Sequence, residues 1–149
     1  MPLDPQDHVR DGYLLLTTAA RLIQRHFDEA LAPLGLTRAA VIALKAMSHR
    51  PMNQEQLAAV VHVQSQTLGR VLTRLETQGL VSRTRDPQDR RQFQVEMTDA
   101  GEAALRAARE AESAALPSDF EGWDVLREQL SRFVNSFPTP RRARDSTRN

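Results

Sequence analysis

The side chains best suited to chemistry in this chain are amides, hydroxyls and guanidinium groups that recur between positions 64 and 78. At helical spacing they share one face, which carries no carboxylate before Glu76. Such groups hydrogen-bond base edges and phosphates, so the pattern predicts contact with nucleic acid. An ordinary solvated helix face has a similar composition, and the face alone does not separate the two interpretations. Its members are Gln66, Thr67, Arg70, Thr73, Arg74 and Thr77, preceded by Gln64 and Ser65.

Two short helices are predicted to position this face. The first begins at Asn53, whose side chain can accept from an early backbone N–H while Gln56 reaches back to the cap. Apolar residues follow up to Val61, and a turn around residues 62–64 leads into a second helix over residues 65–78. The second helix has a buried stripe at the i, i+3, i+4, i+7 spacing, formed by Leu68, Val71, Leu72 and Leu75.

A basic β-hairpin is predicted directly after the second helix. Gly79 suits the left-handed position that follows a helix. Residues 80–85 and 92–97 have strand character, and the second of these segments alternates polar and apolar side chains. The loop between them, residues 86–91, is rich in turn formers and ends in two arginines. Two helices followed by a hairpin with a basic tip form a winged helix-turn-helix, which favours the nucleic-acid interpretation.

The same region resembles the multiple antibiotic resistance regulator (MarR) family of winged helix-turn-helix transcription regulators. The resemblance is sharpest over residues 36–101 and extends in architecture to nearly the whole chain. Its most specific part is the run Asp86-Pro87-Gln88-Asp89-Arg90-Arg91, with Met97-Thr98-Asp99-Ala100-Gly101 at the expected distance. Further matches are Leu36–Thr37, Leu57–Ala58 and Leu75–Val81.

This resemblance implies that the helix over residues 65–78 is a recognition helix that enters the major groove. It also implies that an arginine of the wing reaches the adjacent minor groove. By position that arginine is Arg91, with Arg90 beside it, and Asp89 resembles the wing aspartate that holds the arginine or its backbone in place. Gly69 departs from the family pattern, which more often has alanine or a small hydroxylated residue there. Either the glycine is tolerated, which we favour, or it allows close backbone approach to DNA.

The whole sequence restricts the alternatives. Its 149 residues fit one compact domain, or a small domain with added dimerisation helices. It has no cysteine, which excludes a disulfide and a thiol sensor. No stretch approaches the roughly 18 consecutive apolar residues of a membrane helix, and the first residues lack a signal-peptide pattern, so we expect a cytoplasmic protein with no membrane partner. The net charge is only +1, but residues 64–91 carry six arginines against three acidic residues, a local excess suited to DNA.

Helices on either side of the winged region are predicted to pair two copies of the chain. A long helix over residues 7–34 has one broad apolar face, and an alanine-rich helix begins at Thr98 and stops at Pro117. Residues 118–121, Ser-Asp-Phe-Glu, are predicted to be a capping box for a last helix. Its coiled-coil-like seam packs either on the first helix, of its own or of the partner chain, or in the chain's own core. The seam consists of Trp123, Leu126, Leu130, Phe133 and Phe137.

The predicted fold class is therefore mainly α with a small β-hairpin wing (α+β), a winged helix-turn-helix flanked by N- and C-terminal dimerisation helices. We predict a helical dimerisation region over residues 7–34 and 98–137 and a winged helix-turn-helix DNA-binding domain over residues 36–97. A basic, disordered tail is predicted over residues 138–149.

The predicted function is that of a dimeric, sequence-specific DNA-binding transcriptional regulator. Two recognition helices related by a twofold axis read half-sites roughly 34 Å apart, so the partner is double-stranded DNA with a pseudo-palindromic operator. The resemblance further implies a repressor that a small aromatic or phenolic effector releases from DNA. Two alternatives stay open. One is a winged-helix protein that binds DNA without an effector, and the other is a winged-helix module that binds a protein partner.

No enzyme, metal site or cofactor is predicted. The chain lacks a Gly-rich phosphate loop, a Gly-x-Ser-x-Gly elbow, a cysteine nucleophile and a His-Glu-x-x-His motif. The four histidines, at positions 8, 26, 49 and 62, lack the spacing of a zinc site. Ligand-binding residues are not assigned, since Tyr13, Arg21 and His26 on the first helix could line an effector pocket or simply face solvent.

Overall fold

The structure, a computed structural model, describes residues 4–61 and 65–138, with the backbone alone for Ser65. The chain divides into two compact units, Met1–Leu116 and Pro117–Asn149. The described residues confirm the predicted class, mainly α with a small β-hairpin wing. In chain order the elements are α1 (Pro5–Leu31), a 3-10 turn (Ala32–Leu34), α2 (Arg38–Met47), β1 (Met52–Asn53), α3 (Gln54–Val61), α4 (Ser65–Thr77), β2 (Val81–Arg85), β3 (Phe93–Met97), α5 (Asp99–Ala115) and α6 (Trp123–Asn135).

The first helix begins and ends earlier than predicted. Asp4 Oδ1 accepts from the backbone N–H of Gln6 at 3.1 Å, and Pro5 occupies the first helical position, where no N–H is needed. The α-helix gives way to the 3-10 turn because Pro33 cannot donate the backbone hydrogen bond that would continue it. Within α1 only Leu31 is buried, so most of its apolar face is open in a single chain.

One apolar core in the first unit holds the helices of the winged region. Leu68, Leu72 and Leu75 of α4 are buried and Val71 packs against them, as the predicted stripe requires. Burying each leucine stabilises the fold by about 1.5–3 kcal/mol relative to leaving it in water. The stripe meets side chains from α2, α3 and the sheet, among which the largest fully buried are Val41, Leu44, Leu57 and Val95. The opposite face of α4 is thereby left to solvent.

The sheet has three antiparallel strands in the order β1-β3-β2. Strands β2 and β3 form the predicted hairpin, in which Arg85 lies opposite Phe93. The chain turns from α4 into this hairpin through Gly79, whose φ of 75° is the left-handed conformation that glycine adopts without strain. Strand β1 was not predicted, because its two residues are too short to show an alternating pattern.

Helix α5 begins in direct contact with the chain that precedes the hairpin. Thr98 caps it as predicted, since its hydroxyl accepts from the backbone N–H of Gly101 at 3.1 Å and donates to the carbonyl of Gly79 at 2.7 Å. A Cβ on Gly101 would overlap the carbonyl oxygen of Leu80 and lie 2.6 Å from Met97 Cγ. The first turn of α5 therefore requires glycine at this position.

In the second unit the predicted capping box at residues 118–121 is wrong. Helix α6 begins only at Trp123, with Gly122 as an N-cap that makes no side-chain hydrogen bond. The indole Nε1 of Trp123 donates to the carbonyl of Pro117 at 3.0 Å, and the ring of Phe120 packs edge-on against the indole at 5.4 Å. These contacts hold the preceding residues in turns instead of a helix.

The predicted seam of α6 is open to solvent in the single chain. The helix ends at Asn135, before Phe137, and that ring instead packs edge-on against Phe133 at 5.1 Å. Trp123, Leu126 and Phe133 are each at least 37% exposed. The role of residues 98–137 in dimerisation stays a prediction.

Among the described residues, no single helix is long and apolar enough to span a membrane. Only when taken together do the segments Pro5–Leu34 and Arg38–Met47 have the length and apolar composition of a membrane span, and a bend of 79° separates them. The second of these, α2, contributes five buried residues to the core of the first unit, as a core helix does.

Candidate nucleic-acid interface

The predicted contact residues of α4 that the structure describes lie together on its solvent face. Gln66, Thr67, Arg70, Thr73 and Arg74 are all exposed, opposite the buried leucine stripe. Gln64 and the side chain of Ser65, which were also predicted, lie outside the described residues. A groove beside this face is lined by Gln66, Gly69, Arg70, Thr73, Arg74 and, from β2, Arg83. Its amide, hydroxyl and guanidinium groups match the hydrogen-bonding needs of phosphates and base edges.

The helix preceding α4 starts with the predicted capping box. Asn53 Oδ1 accepts from the backbone N–H of Gln56 at 2.7 Å, and Gln56 Oε1 accepts from the backbone N–H of Asn53 at 3.2 Å. Leu57 and Val61 then anchor α3 in the core. The start of α3 is thus fixed locally, which helps to orient the helix pair.

The one carboxylate on the exposed face of α4 is neutralised by the hairpin. Arg83 Nε donates to Glu76 Oε2 at 2.8 Å, and Arg83 Nη2 donates to the hydroxyl of Thr73 at 3.2 Å. The Thr73 and Thr77 hydroxyls donate to backbone carbonyls four residues earlier, at 2.8 and 2.9 Å. Their single donors are therefore used within the helix. Sequence reasoning counted Arg83 only as one of the positive charges and missed this contact.

The wing is the hairpin of β2 and β3 with its tip at residues 86–92, and two aspartate side chains hold the backbone of the tip. Asp89 Oδ1 accepts from the backbone N–H of Arg91 at 3.1 Å, and Asp86 Oδ1 accepts from that of Gln88 at 2.9 Å. The side chains of Arg90 and Arg91 are exposed. The tip is thus an ordered turn that presents two guanidinium groups to solvent.

The six arginines of this surface fall into two groups. Arg83 binds α4, and Arg85 Nη1 donates to the backbone carbonyl of Arg90 at 2.7 Å, so both have partners within the protein. Within the described ranges, 4–61 and 65–138, the other four form no ion pair. They are Arg70, Arg74, Arg90 and Arg91, all exposed. These four side chains are available to bind an anion.

No three His, Asp or Glu side chains are grouped as metal ligands in the part of the chain that the structure describes. His26 is exposed on α1, and its neighbour Asp28 pairs with Arg38 at 2.7 Å. Tyr13 and Arg21 are exposed as well. The described residues therefore offer α4 and the wing as the candidate site.

Comparison with known proteins places this arrangement in a family. The model of the MarR family matches residues 45–93, from α2 to the first residue of β3. An HTH-type transcriptional repressor of Mycobacterium bovis is 31% identical over 105 residues, which are 70% of this chain and 75% of that protein. The chain belongs to the MarR family. The resemblance seen in the sequence is thereby confirmed, and so is the prediction of a transcriptional regulator and not an enzyme.

The chain is also similar to a second sequence relative and to a protein of known structure. An uncharacterized HTH-type transcriptional regulator of Bacillus cereus is 33% identical over 98 residues, 66% of this chain and 63% of the relative, so the match spans less than two thirds of that protein. CouR of Rhodococcus jostii RHA1, solved with p-coumaroyl-CoA, is 29% identical with a TM-score of 0.73, covering 87% of this chain and 94% of CouR. The transcriptional repressor CouR bound to a 23-mer DNA duplex is 27% identical with a TM-score of 0.75, and the match covers 91% of this chain and 98% of CouR.

Proposed function

We propose that this MarR-family protein is a homodimeric transcriptional regulator that binds a pseudo-palindromic operator in double-stranded DNA. The observation that carries the proposal is the exposed face of α4. Its amides, and guanidinium groups that form no ion pair within the described residues, lie beside a wing that ends in two exposed arginines. That face has no carboxylate free of a partner, because Glu76 is paired with Arg83. A negatively charged duplex therefore meets no unpaired carboxylate along this face of the helix.

Each group of side chains has a separate role in this proposal. Helix α4 is the recognition helix in the major groove, where Gln66, Thr67 and Arg70 read base edges and Arg74 binds phosphate. Gln64 and the side chain of Ser65, which lie outside the described residues, are proposed to contribute at the start of the helix. In the wing, Arg91 enters the minor groove, Arg90 lies beside it, and Asp89 shapes the tip.

Exposed apolar side chains support a homodimer. On α1, Val9, Tyr13 and Leu15 are at least 65% exposed in the single chain. On α6, Trp123, Leu126 and Phe133 share one side of the helix and are each at least 37% exposed. Exposed apolar surfaces of this kind mark interaction sites. A twofold pairing of the helical regions at residues 7–34 and 98–137 would set the recognition helices roughly one DNA turn, 34 Å, apart.

We also propose that the protein is a repressor released by a small aromatic or phenolic effector. The support is that a relative in Mycobacterium bovis and CouR are both described as repressors, and that CouR was solved with p-coumaroyl-CoA. In this chain a cavity of about 190 Å³ lies between the α1–α2 connection and one side of α4. Its lining residues include Thr37, Arg70, Val71 and Arg74.

The size of this cavity limits what it would hold. Pockets for drug-sized ligands measure roughly 300–1,000 Å³, so this smaller cavity suits a compact, single-ring molecule. A ligand there would compete with DNA for Arg70 and Arg74. We propose that the protein acts in the cytoplasm, without a cofactor or a membrane partner.

The test is fluorescence anisotropy of the purified protein on duplex fragments that flank its own gene, over a series of salt concentrations. Tight binding of one fragment that weakens steeply with salt, and that Arg91→Ala reduces, is the expected result. Addition of single-ring phenolic or benzoic compounds should then release that fragment. A folded, dimeric protein that binds none of the duplexes would contradict the proposal and favour a protein partner.

A further inference from the structure

We propose that the side chains of Glu76, Arg83, Phe93 and Arg85 form a brace that fixes the wing against the recognition helix. Within this wing brace, Phe93 is a positioning residue: it acts on DNA only through the two arginines that it holds. The inference rests on the proposed DNA-binding function, because it concerns how the two contact surfaces are held relative to each other.

One face of the hairpin changes character between its base and its tip. At the base this face carries Val81 and Val95, which are buried in the core. Because successive strand residues alternate between faces, Arg83 and Arg85 follow Val81 on the same side, and Phe93 lies there opposite Arg85. The tip of the wing therefore extends past the apolar core. Beyond the buried valines, the same face of the hairpin carries Arg83, Phe93 and Arg85.

The first contact of the brace is to the recognition helix. Arg83 donates through Nε to Glu76 and through Nη2 to Thr73, at 2.8 and 3.2 Å. A guanidinium group is planar, so two donors bound to successive turns of one helix fix its orientation as well as its distance. The Arg83 side chain is only 21% exposed, which shields this ion pair from solvent more than an ordinary surface pair.

The ring of Phe93 carries the brace towards the tip. The guanidinium carbon of Arg83 lies 6.0 Å from the ring centroid and that of Arg85 lies 5.0 Å from it, both within cation–π range. Arg85 Nη1 then donates to the backbone carbonyl of Arg90 at 2.7 Å. Contacts thus run without a gap from Glu76 on α4 to the backbone of the residue next to Arg91.

This chain of contacts gives the wing a fixed placement before DNA arrives. A recognition element held in its bound conformation avoids the cost of being ordered on binding, so rigidity raises affinity without adding a contact. Loss of the brace should loosen the wing tip and weaken binding, yet leave the number of phosphates contacted unchanged. A phosphate-binding residue behaves differently, since its loss also lowers the salt dependence of binding.

The first measurement uses the free protein. Backbone ¹⁵N relaxation gives order parameters for the wing tip at residues 86–92 in the native chain and in Phe93→Leu, Phe93→Tyr and Thr84→Val. Leucine keeps an apolar side chain but removes the ring, tyrosine keeps the ring, and Thr84→Val is the matched control on the opposite face. We expect rigid values near about 0.85 in the native, tyrosine and control proteins, and values below about 0.6 in Phe93→Leu.

The second measurement uses the duplex that the native protein binds most tightly, either from the flanks of its gene or selected from a random-sequence pool. Phe93→Leu should weaken binding on the order of tenfold with an unchanged salt slope, while Phe93→Tyr stays within about twofold. Arg91→Ala, in contrast, should lower the slope by about 0.9.

Several results would overturn the brace. They are a native wing tip that is already mobile, order parameters that Phe93→Leu leaves unchanged, and a salt slope that falls in Phe93→Leu as it does in Arg91→Ala. A native protein that binds no duplex would contradict the proposed function instead, and the order parameters of the free protein would still decide the brace.

Discussion

The carboxylate of Asp89 accepts a hydrogen bond from the backbone N–H of Arg91, with 3.1 Å between Oδ1 and the nitrogen. This contact closes the turn at the wing tip and leaves the Arg91 side chain exposed. It also places a negative charge next to the side chain proposed to enter the minor groove. We therefore expect Asp89 to have two opposite effects on DNA affinity, one through the shape of the tip and one through repulsion of phosphates.

Substitution of Asp89 separates these effects. Asp89→Asn keeps an oxygen that can accept from Arg91 and removes the charge, so its affinity for DNA should equal or exceed that of the native protein. Asp89→Ala loses the acceptor together with the charge and should bind more weakly than Asp89→Asn. Anisotropy titrations at one salt concentration compare the two. Equal affinities would mean that the hydrogen bond does not position Arg91.

Arg91→Ala should weaken DNA binding without unfolding the protein. The side chain is exposed and forms no ion pair within residues 4–61 and 65–138, so its loss should change the stability by less than about 0.5 kcal/mol. The slope of log affinity against log salt should fall by about 0.9, the value for one neutralised phosphate. Arg106→Ala, on the exposed side of α5, is the matched control for loss of one positive charge. Unchanged affinity at equal salt would rule out the proposed role of Arg91.

Arg70 and Arg74 should differ in what they contribute, although both are exposed on the same face of α4. Arg70→Gln should change which sequence is selected from a random pool, because one bidentate contact to a base discriminates by roughly 1–3 kcal/mol. Arg74→Gln should weaken binding of all sequences alike and reduce the salt slope. If Arg70→Gln selects the native site, the assignment of Arg70 to base reading is wrong.

The parts of the fold that sequence predicted well depend on contacts between near neighbours. The capping pair of Asn53 and Gln56 is separated by three residues, as is the cap of Thr98 on Gly101, so both appear as local patterns. The exposure of Gln66 and Arg70 follows from the same helical period that buries Leu68 and Leu72. The polar face of α4 was therefore predictable from its apolar stripe.

Features that depend on tertiary contacts were missed or predicted wrongly. Residues 118–121 have the composition of a capping box, but the indole of Trp123 binds the carbonyl of Pro117 and the helix starts later. The pairing of Arg83 with Glu76 joins a strand to a helix across the turn at Gly79, and no periodicity marks it. The sequence therefore predicted which charged side chains lie on this surface, but it did not predict which of them form ion pairs with each other.

Leu15→Glu should convert the proposed dimer to a monomer. Leu15 is 71% exposed in the single chain, so the substitution leaves the core of one subunit intact. In an apolar interface the carboxylate would lose its water without gaining a partner, at a cost of several kcal/mol. Sedimentation velocity measures the result. Arg21→Gln, which changes the net charge by the same amount at an exposed position on the polar side of α1, is the matched control. A Leu15→Glu protein that stays dimeric would place the interface elsewhere.

Two glycines in helices should respond to alanine in opposite directions. At Gly101 a Cβ would overlap the Leu80 carbonyl, and the backbone must shift, so Gly101→Ala should lower the free energy of unfolding by about 1–3 kcal/mol. At Gly69 a Cβ would lie 3.5 Å from Gln54 Nε2, an ordinary contact, so Gly69→Ala should raise stability by up to about 1 kcal/mol. Denaturant unfolding at one protomer concentration tests both, since the stability of a dimer depends on concentration. If Gly69→Ala is more stable yet binds DNA less well, this glycine serves close approach to the duplex and is not merely tolerated.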